Sequence, residues 1–154
     1  MEHADVARRV DEALQAFRRD DDYLLEHNLS ERCIAARVAL HLQRSFPDYS
    51  VDVEYNRAGD TPKRLYLPEE CANSFDDDGR ALIVPDIIVH RRGSAGPNLL
   101  GIEIKKVGDP RGLDFDRTRI VALKTRFGYE HGALVECETR TGRERSIVVS
   151  EWIQ

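Results

Sequence analysis

Residues 99–107, LLGIEIKKV, constrain this chain more than any other stretch. They read as a β-strand with two unlike faces. Leu100, Ile102 and Ile104 point one way and Gly101, Glu103 and Lys105 the other, because strand side chains alternate. A carboxylate and an ammonium therefore stand about 7 Å apart on one face with no side chain between them. Burying such charges in an apolar sheet is costly unless they have partners. Gly101 leaves room beside them for a ligand or another backbone.

The run before it, ALIVPDIIVHR at 81–91, is apolar and interrupted by Pro85-Asp86. RRGSAGPN between the two runs has the turn chemistry of a hairpin loop. Pairing as a hairpin would bring Asp86 to the same end of the sheet as Glu103 and Lys105. Upstream, Val6, Val10, Ala13, Leu14 and Phe17 predict a helix over 3–19, ended by Asp20, Asp21 and Asp22. Ser30 caps a second helix over 30–46 whose stripe is Ile34, Val38 and Leu42, with Pro47 just beyond Phe46. Glu31 lies on that core-facing stripe, either as a first-turn acid favoured by the helix dipole or as a site residue.

Val51, Val53 and Tyr55 alternate with Asp52 and Glu54 as in a half-buried strand. Residues 57–80 form an irregular excursion, with room for a short strand at Arg64–Leu67 and a solvated Asp76-Asp77-Asp78-Gly79 turn. A third helix is predicted over 114–127, with Phe115, Ile120, Leu123 and Phe127 towards the core. ALVECE and SIVVSEWI then form two strands joined around Thr141-Gly142. The order is a mixed α/β domain built on a central sheet.

The 154 residues suit one domain, residues 1–154, and no run approaches the roughly 20 apolar residues of a membrane span. The acidic, helix-periodic N-terminus is neither a secretory signal nor a transit peptide, so a cytoplasmic protein is expected. Cys33, Cys71 and Cys137 form no CxxC pair, and the 5 histidines form no ligand pattern, which argues against zinc. A net charge of −5 argues against coating nucleic acid by bulk attraction. Residues 1–30 carry 4 basic and 8 acidic side chains, while residues 31–154 carry 19 and 20, so the body is nearly neutral. A carboxylate cluster there would be cancelled locally by a divalent ion.

Two carboxylates and a lysine on one sheet suit phosphodiester hydrolysis: oxygen ligands hold magnesium and the lysine stabilises developing charge. At Pro85-Asp86 and Glu103-Ile104-Lys105, with Glu31 on the helix before the first core strand, the sequence resembles the PD-(D/E)xK, or restriction-endonuclease-like, nuclease superfamily. The resemblance covers residues 30–138 in element order. It implies a mixed central sheet flanked by helices, with core order α-β-β-β-α-β. Residues 1–29 would be a helical addition and 139–154 a C-terminal hairpin strand. Asp86, Glu103 and the backbone carbonyl of Ile104 would ligate Mg2+ or Mn2+. Lys105 would act on the attacking water or the transition state, and Glu31 would complete or orient the metal shell.

The resemblance implies a metal-dependent nuclease but carries over no substrate. DNA is expected before RNA, and a homodimer or a targeting partner is expected because so small a domain has little room to read sequence. His90, Arg91 and Arg92 at the hairpin tip, and Lys124 on the third helix, are candidate nucleic-acid contacts set against plain surface charge. Arg117 and Lys106 are weighed in the same way, and Tyr55 and Trp152 read as core or interface residues. The rival function is a non-catalytic binding or scaffold module on the same fold, within a larger complex. A blander one is an α/β domain whose PD and ExK are coincidence.

Overall fold

Ser30 caps a helix as its chemistry leads one to expect: its hydroxyl accepts from Cys33 N at 3.2 Å and opens α3 (Glu31–Ser45). Ahead of it run α1 (His3–Asp21) and the single turn α2 (Tyr23–Glu26). The computed structural model describes residues 1–55, 57–58, 61–62, 74–75, 81–82, 84–93 and 97–154. The expected strand at Arg64–Leu67, the Asp76-Asp77-Asp78-Gly79 turn and Cys71 lie outside the described residues.

α1 continues through Asp20 and Asp21, where the acidic cluster was expected to stop it. Asp21 accepts from Arg37 and from His41 on α3, the latter at 2.7 Å, so it joins the two helices instead of fraying one. β1 (Ser50–Val53) is shorter than the alternation suggested. Glu54 turns out of it with a φ of +50°, and its amide donates to the carbonyl of Asp86 at 3.2 Å. Two short ladders follow, β2 (Arg57–Ala58) with β3 (Thr61–Pro62) inside the excursion, and β4 (Ser74–Phe75) with β5 (Ala81–Leu82), the latter at the start of the 81–91 run.

The main sheet is completed by β6 (Ile87–His90), β7 (Asn98–Lys106), β8 (His131–Glu138) and β9 (Ser146–Ile153). Its five strands run in the order β1-β6-β7-β8-β9. The β7/β8 pair is parallel, and the crossover between them carries α4 (Asp114–Phe127). The other neighbours are antiparallel. The fold is thus a mixed α/β domain with a five-stranded mixed sheet flanked by helices.

The two faces of β7 go to different cores. Leu100, Ile102 and Ile104 pack with Val6, Val10 and Phe17 of α1 and Ile34, Val38 and Leu42 of α3. The N-terminal helix is therefore part of the main core. On the other face, Ile120 and Leu123 of α4 pack with Ile88, Leu134 and Ile153. α4 comes close because Gly101 and Gly132 stand opposite one another in the β7/β8 register. A methyl at Gly101 would lie 3.0 Å from Leu123 Cδ1, and one at Gly132 would collide with Ile120. The space beside Gly101 is filled by the helix, where the sequence suggested a ligand. Among the described residues no helix is long and apolar enough to cross a membrane.

Candidate active site

Pro85 supplies no amide hydrogen to the ladder, and β6 begins only after Asp86. The register pairs Ile87 with Ile102 and Ile88 with Gly101, so Asp86 falls opposite Glu103, one step beyond the last pair and on the same face. Asp86 Oδ2 accepts from Ile104 N at 2.7 Å, which fixes the carboxylate against the centre of β7. Glu103 is buried, with 1% of its surface exposed. Burial, and then the neighbouring Asp86, push the Glu103 carboxyl well above the usual range. Burial also raises Asp86, although its bond from Ile104 and the charge of Arg119 pull the other way. The two groups are close enough that each enters the other's proton affinity.

The residues that complete this cluster come from α4. Arg119 donates from Nε to Glu103 Oε1 at 3.1 Å and from Nη2 to Glu103 Oε2 at 2.9 Å. The same Nη2 also reaches Asp116 Oδ1, one turn back on the helix. Asp116 is 1% exposed, and its Oδ2 lies 3.1 Å from Lys105 Nζ. That contact is an ion pair without an aligned hydrogen bond, because Oδ2 receives no donor. Burial works to lower the Arg119 proton affinity, but its bonds to Glu103 outweigh this and raise it. The cluster thus chains Asp86, Glu103, Arg119, Asp116 and Lys105 across two strands and a helix. Three carboxylates face two cations.

Asp116 and Arg119 were not foreseen. The signal was present: Asp116 lies four residues before Ile120, on the 116/120/123 stripe that faces the sheet. Phe115, expected in the core, is only half-buried, and Asp116 takes the inward position.

Glu31 does reach the sheet from α3. Its Oε1 accepts from Lys106 N at 3.1 Å, one residue beyond Lys105, so the carboxylate is tied to the main chain at the end of β7. Lys106 Nζ donates to Asn28 Oδ1 at 2.8 Å, a tie between β7 and the turn before α3. The loop after β7 brings up a further cation. Arg111 feels the charges of Glu31 and Asp116 and is held by Asp109, whose pKa it lowers to about 2.

Other candidates stand apart. His90 is the last residue of β6 rather than part of the hairpin tip; it is buried, and its Nε2 lies 2.8 Å from Asp52 Oδ2. Arg92 donates from Nε to the same oxygen at 2.8 Å, and Arg91 lies over the Tyr49 ring at 5.6 Å. All three are at the far end of β6, about 13 Å from Asp86 by the strand rise. Asp52 engages two of them, so the structure does not bring this group to the carboxylates. Lys124 Nζ donates to the carbonyls of Ile153 at 2.9 Å and Glu130 at 3.3 Å, tying α4 to the end of β9. Arg117 pairs with Glu151 and Asp114, and Trp152 is half-buried against His3.

The donor chemistry fits a hard divalent cation. Asp86 and Glu103 offer oxygen alone, and each carboxylate has about four lone-pair directions, of which the bonds above occupy one on Asp86 and two on Glu103. Burial, and at Glu103 the neighbouring Asp86, raise their proton affinity, and a bound cation would oppose both effects. Among the described residues no set of three or more His, Cys, Asp and Glu side chains is arranged to hold a metal, so a backbone oxygen or water would complete the shell. Set against models of known protein families, curated proteins and solved structures, the chain shows no match.

Proposed function

We propose that this chain is a divalent-metal-dependent nuclease that hydrolyses phosphodiester bonds, with DNA before RNA as its substrate, on a restriction-endonuclease-like core. The observation that carries the reading is the charge imbalance of the buried cluster. Asp86, Glu103 and Asp116 outnumber Lys105 and Arg119 by one. A shared proton can make up the deficit, and so can a cation. A divalent ion would overshoot it by one positive charge, which is the setting an anionic phosphodiester requires. The run of α3, β1, β6, β7, α4 and β8 supports the core order that the motif resemblance implies.

In this reading Asp86 and Glu103 hold Mg2+ or Mn2+, with the backbone carbonyl of Ile104 as third ligand. When bound, the metal neutralises the scissile phosphate and acidifies water. The bond from Ile104 N keeps Asp86 in one orientation before any ligand arrives. Lys105, buried beside Glu103 on the strand face, places an ammonium where negative charge develops. Glu31 positions the end of β7 through Lys106 N. A targeting partner or second copy would supply sequence selection in a reducing, cytoplasmic setting.

One observation favours the scaffold reading. Glu103 is already paired with Arg119 and Lys105 with Asp116, so the network also closes without substrate. The two separate on cleavage of labelled single- and double-stranded DNA and RNA with magnesium or manganese. The nuclease reading expects metal-dependent cleavage by wild type and none by Lys105→Ala. Absence of both cleavage and millimolar manganese binding by the wild type would hand the lead to the scaffold.

A further inference from the structure

Arg119 is bound asymmetrically. Its Nε and Nη2 are taken by Glu103 and Asp116, while among the described residues nothing accepts from Nη1. The side chain is 12% exposed, so it is neither sealed in the core nor loose in solvent. Such a guanidinium is anchored along one edge and presents donors along the other. Planar donors held in a fixed plane beside two carboxylates match the oxygens of a tetrahedral phosphate. Asp116 provides the anchor, and its other oxygen stands 3.1 Å from the Lys105 ammonium. It therefore sets the spacing between the two cations of the cluster.

We propose that Arg119 is a phosphate-contacting catalytic residue, binding the scissile phosphodiester through Nη1, and that Asp116 is the positioning residue for both Arg119 and Lys105. This rests on the nuclease reading above. Were Asp86 and Glu103 to hold a cation, Glu103 would share its charge with it and its bonds to Arg119 would weaken. The bond to Asp116 keeps the guanidinium at the site and frees more of its donors for the phosphate. α4 is then a catalytic element, although its apolar stripe makes it look like packing alone.

Arg119→Lys is the informative variant, because it retains the charge opposite Glu103 but lacks a second edge. Manganese affinity by titration calorimetry should stay within about threefold of wild type, while kcat for a labelled oligonucleotide falls about 10²-fold, the effect of losing one preorganised donor. Asp116→Asn, close in shape, should likewise retain manganese binding and lose kcat, and Asp116→Glu should not restore it, since the longer arm moves both cations. Thermal melts with and without manganese identify any variant that has merely failed to fold, and Arg119→Lys carries the test if Asp116→Asn melts early. A wild type that binds manganese and cleaves, alongside an Arg119→Lys protein that cleaves at the same rate, overturns the inference alone. A wild type that neither binds manganese nor cleaves overturns the nuclease reading and this one with it.

Discussion

Two polar clusters lie at opposite ends of β6, on the same side of the sheet, and they carry opposite electrostatics. At one end Asp52 receives Arg92 and His90, and those bonds hold its carboxyl below the usual range despite partial burial. At the other, Asp86 and Glu103 depend on one shared guanidinium and are both pushed above it. The backbone context is alike, so strand geometry does not make the difference. Asp52 keeps a guanidinium bond that outweighs its partial burial, whereas Asp86 and Glu103 are buried more deeply and the one guanidinium near them does not offset it. A carboxylate with its own arginine is finished structure, whereas a pair sharing one has unused capacity for positive charge.

The largest expected effect comes from swapping one neutral amide into each cluster. Asp86→Asn preserves the acceptor for Ile104 N but removes a ligand charge. Manganese binding should be lost by calorimetry, and cleavage should drop by at least about 10²-fold. Asp52→Asn should leave both within about twofold and lower the thermal midpoint instead, since it unpairs Arg92 and His90. Equal losses of manganese binding in the two variants would erase the distinction between the clusters.

A second effect tests whether α4 belongs to the site or only covers it. Gly132→Ala places a methyl against the γ2 methyl of Ile120, which sits on the β-carbon and has little room to swing away, and overpacking of this kind costs about 1–3 kcal/mol. The helix must shift to relieve it, carrying Asp116 and Arg119 away from Glu103. Gly101→Ala meets the end of the Leu123 side chain, which can rotate, and should cost less. Urea melts measure both. If α4 only covers the sheet, cleavage per folded molecule stays unchanged in Gly132→Ala; a fall places the helix in the active centre.

Much of this arrangement was legible in residue order alone. Period-two alternation put Glu103 and Lys105 on one face, and Ser30 marks the start of α3. Glu31 was conspicuous as an acid on an apolar stripe, and it does reach β7. Asp116 obeyed the same rule and was overlooked, because Phe115 beside it offered an apolar residue to fill the inward position. The pairing of the hairpin cations was hidden for another reason. Their partner, Asp52, lies 38 residues from His90, and only the β1/β6 register brings the two together. Local pattern shows which face a residue takes; it does not show which distant charge it meets there.

The smallest effect is the pH dependence of stability, where the two clusters should pull in opposite directions. Asp86 and Glu103 titrate above the ordinary carboxyl value of about 4, so between that value and their raised ones the native state binds more protons than the unfolded chain. Stability without metal should therefore fall as pH rises through that window. Asp52 has the opposite sign: the unfolded chain holds the proton more tightly, so its contribution is complete above about pH 4 and is lost on acidification. Asp21, Asp109 and Glu138 are lowered in the same way and share the acid arm. Asp52→Asn should thus flatten the acid side only in part. Asp86→Asn should flatten the neutral side, because removing one of two repelling acids lets Glu103 ionise more readily beside Arg119. Manganese should flatten that side in the wild type but not in Asp86→Asn, since the cation replaces the proton only where both carboxylates remain. Urea midpoints between about pH 3 and pH 8, with and without manganese, give these curves for the wild type and both variants. Metal-free wild-type stability that climbs steadily to neutrality, with Asp86→Asn running parallel to it, would mean that Arg119 alone satisfies both acids and that no cation is missing.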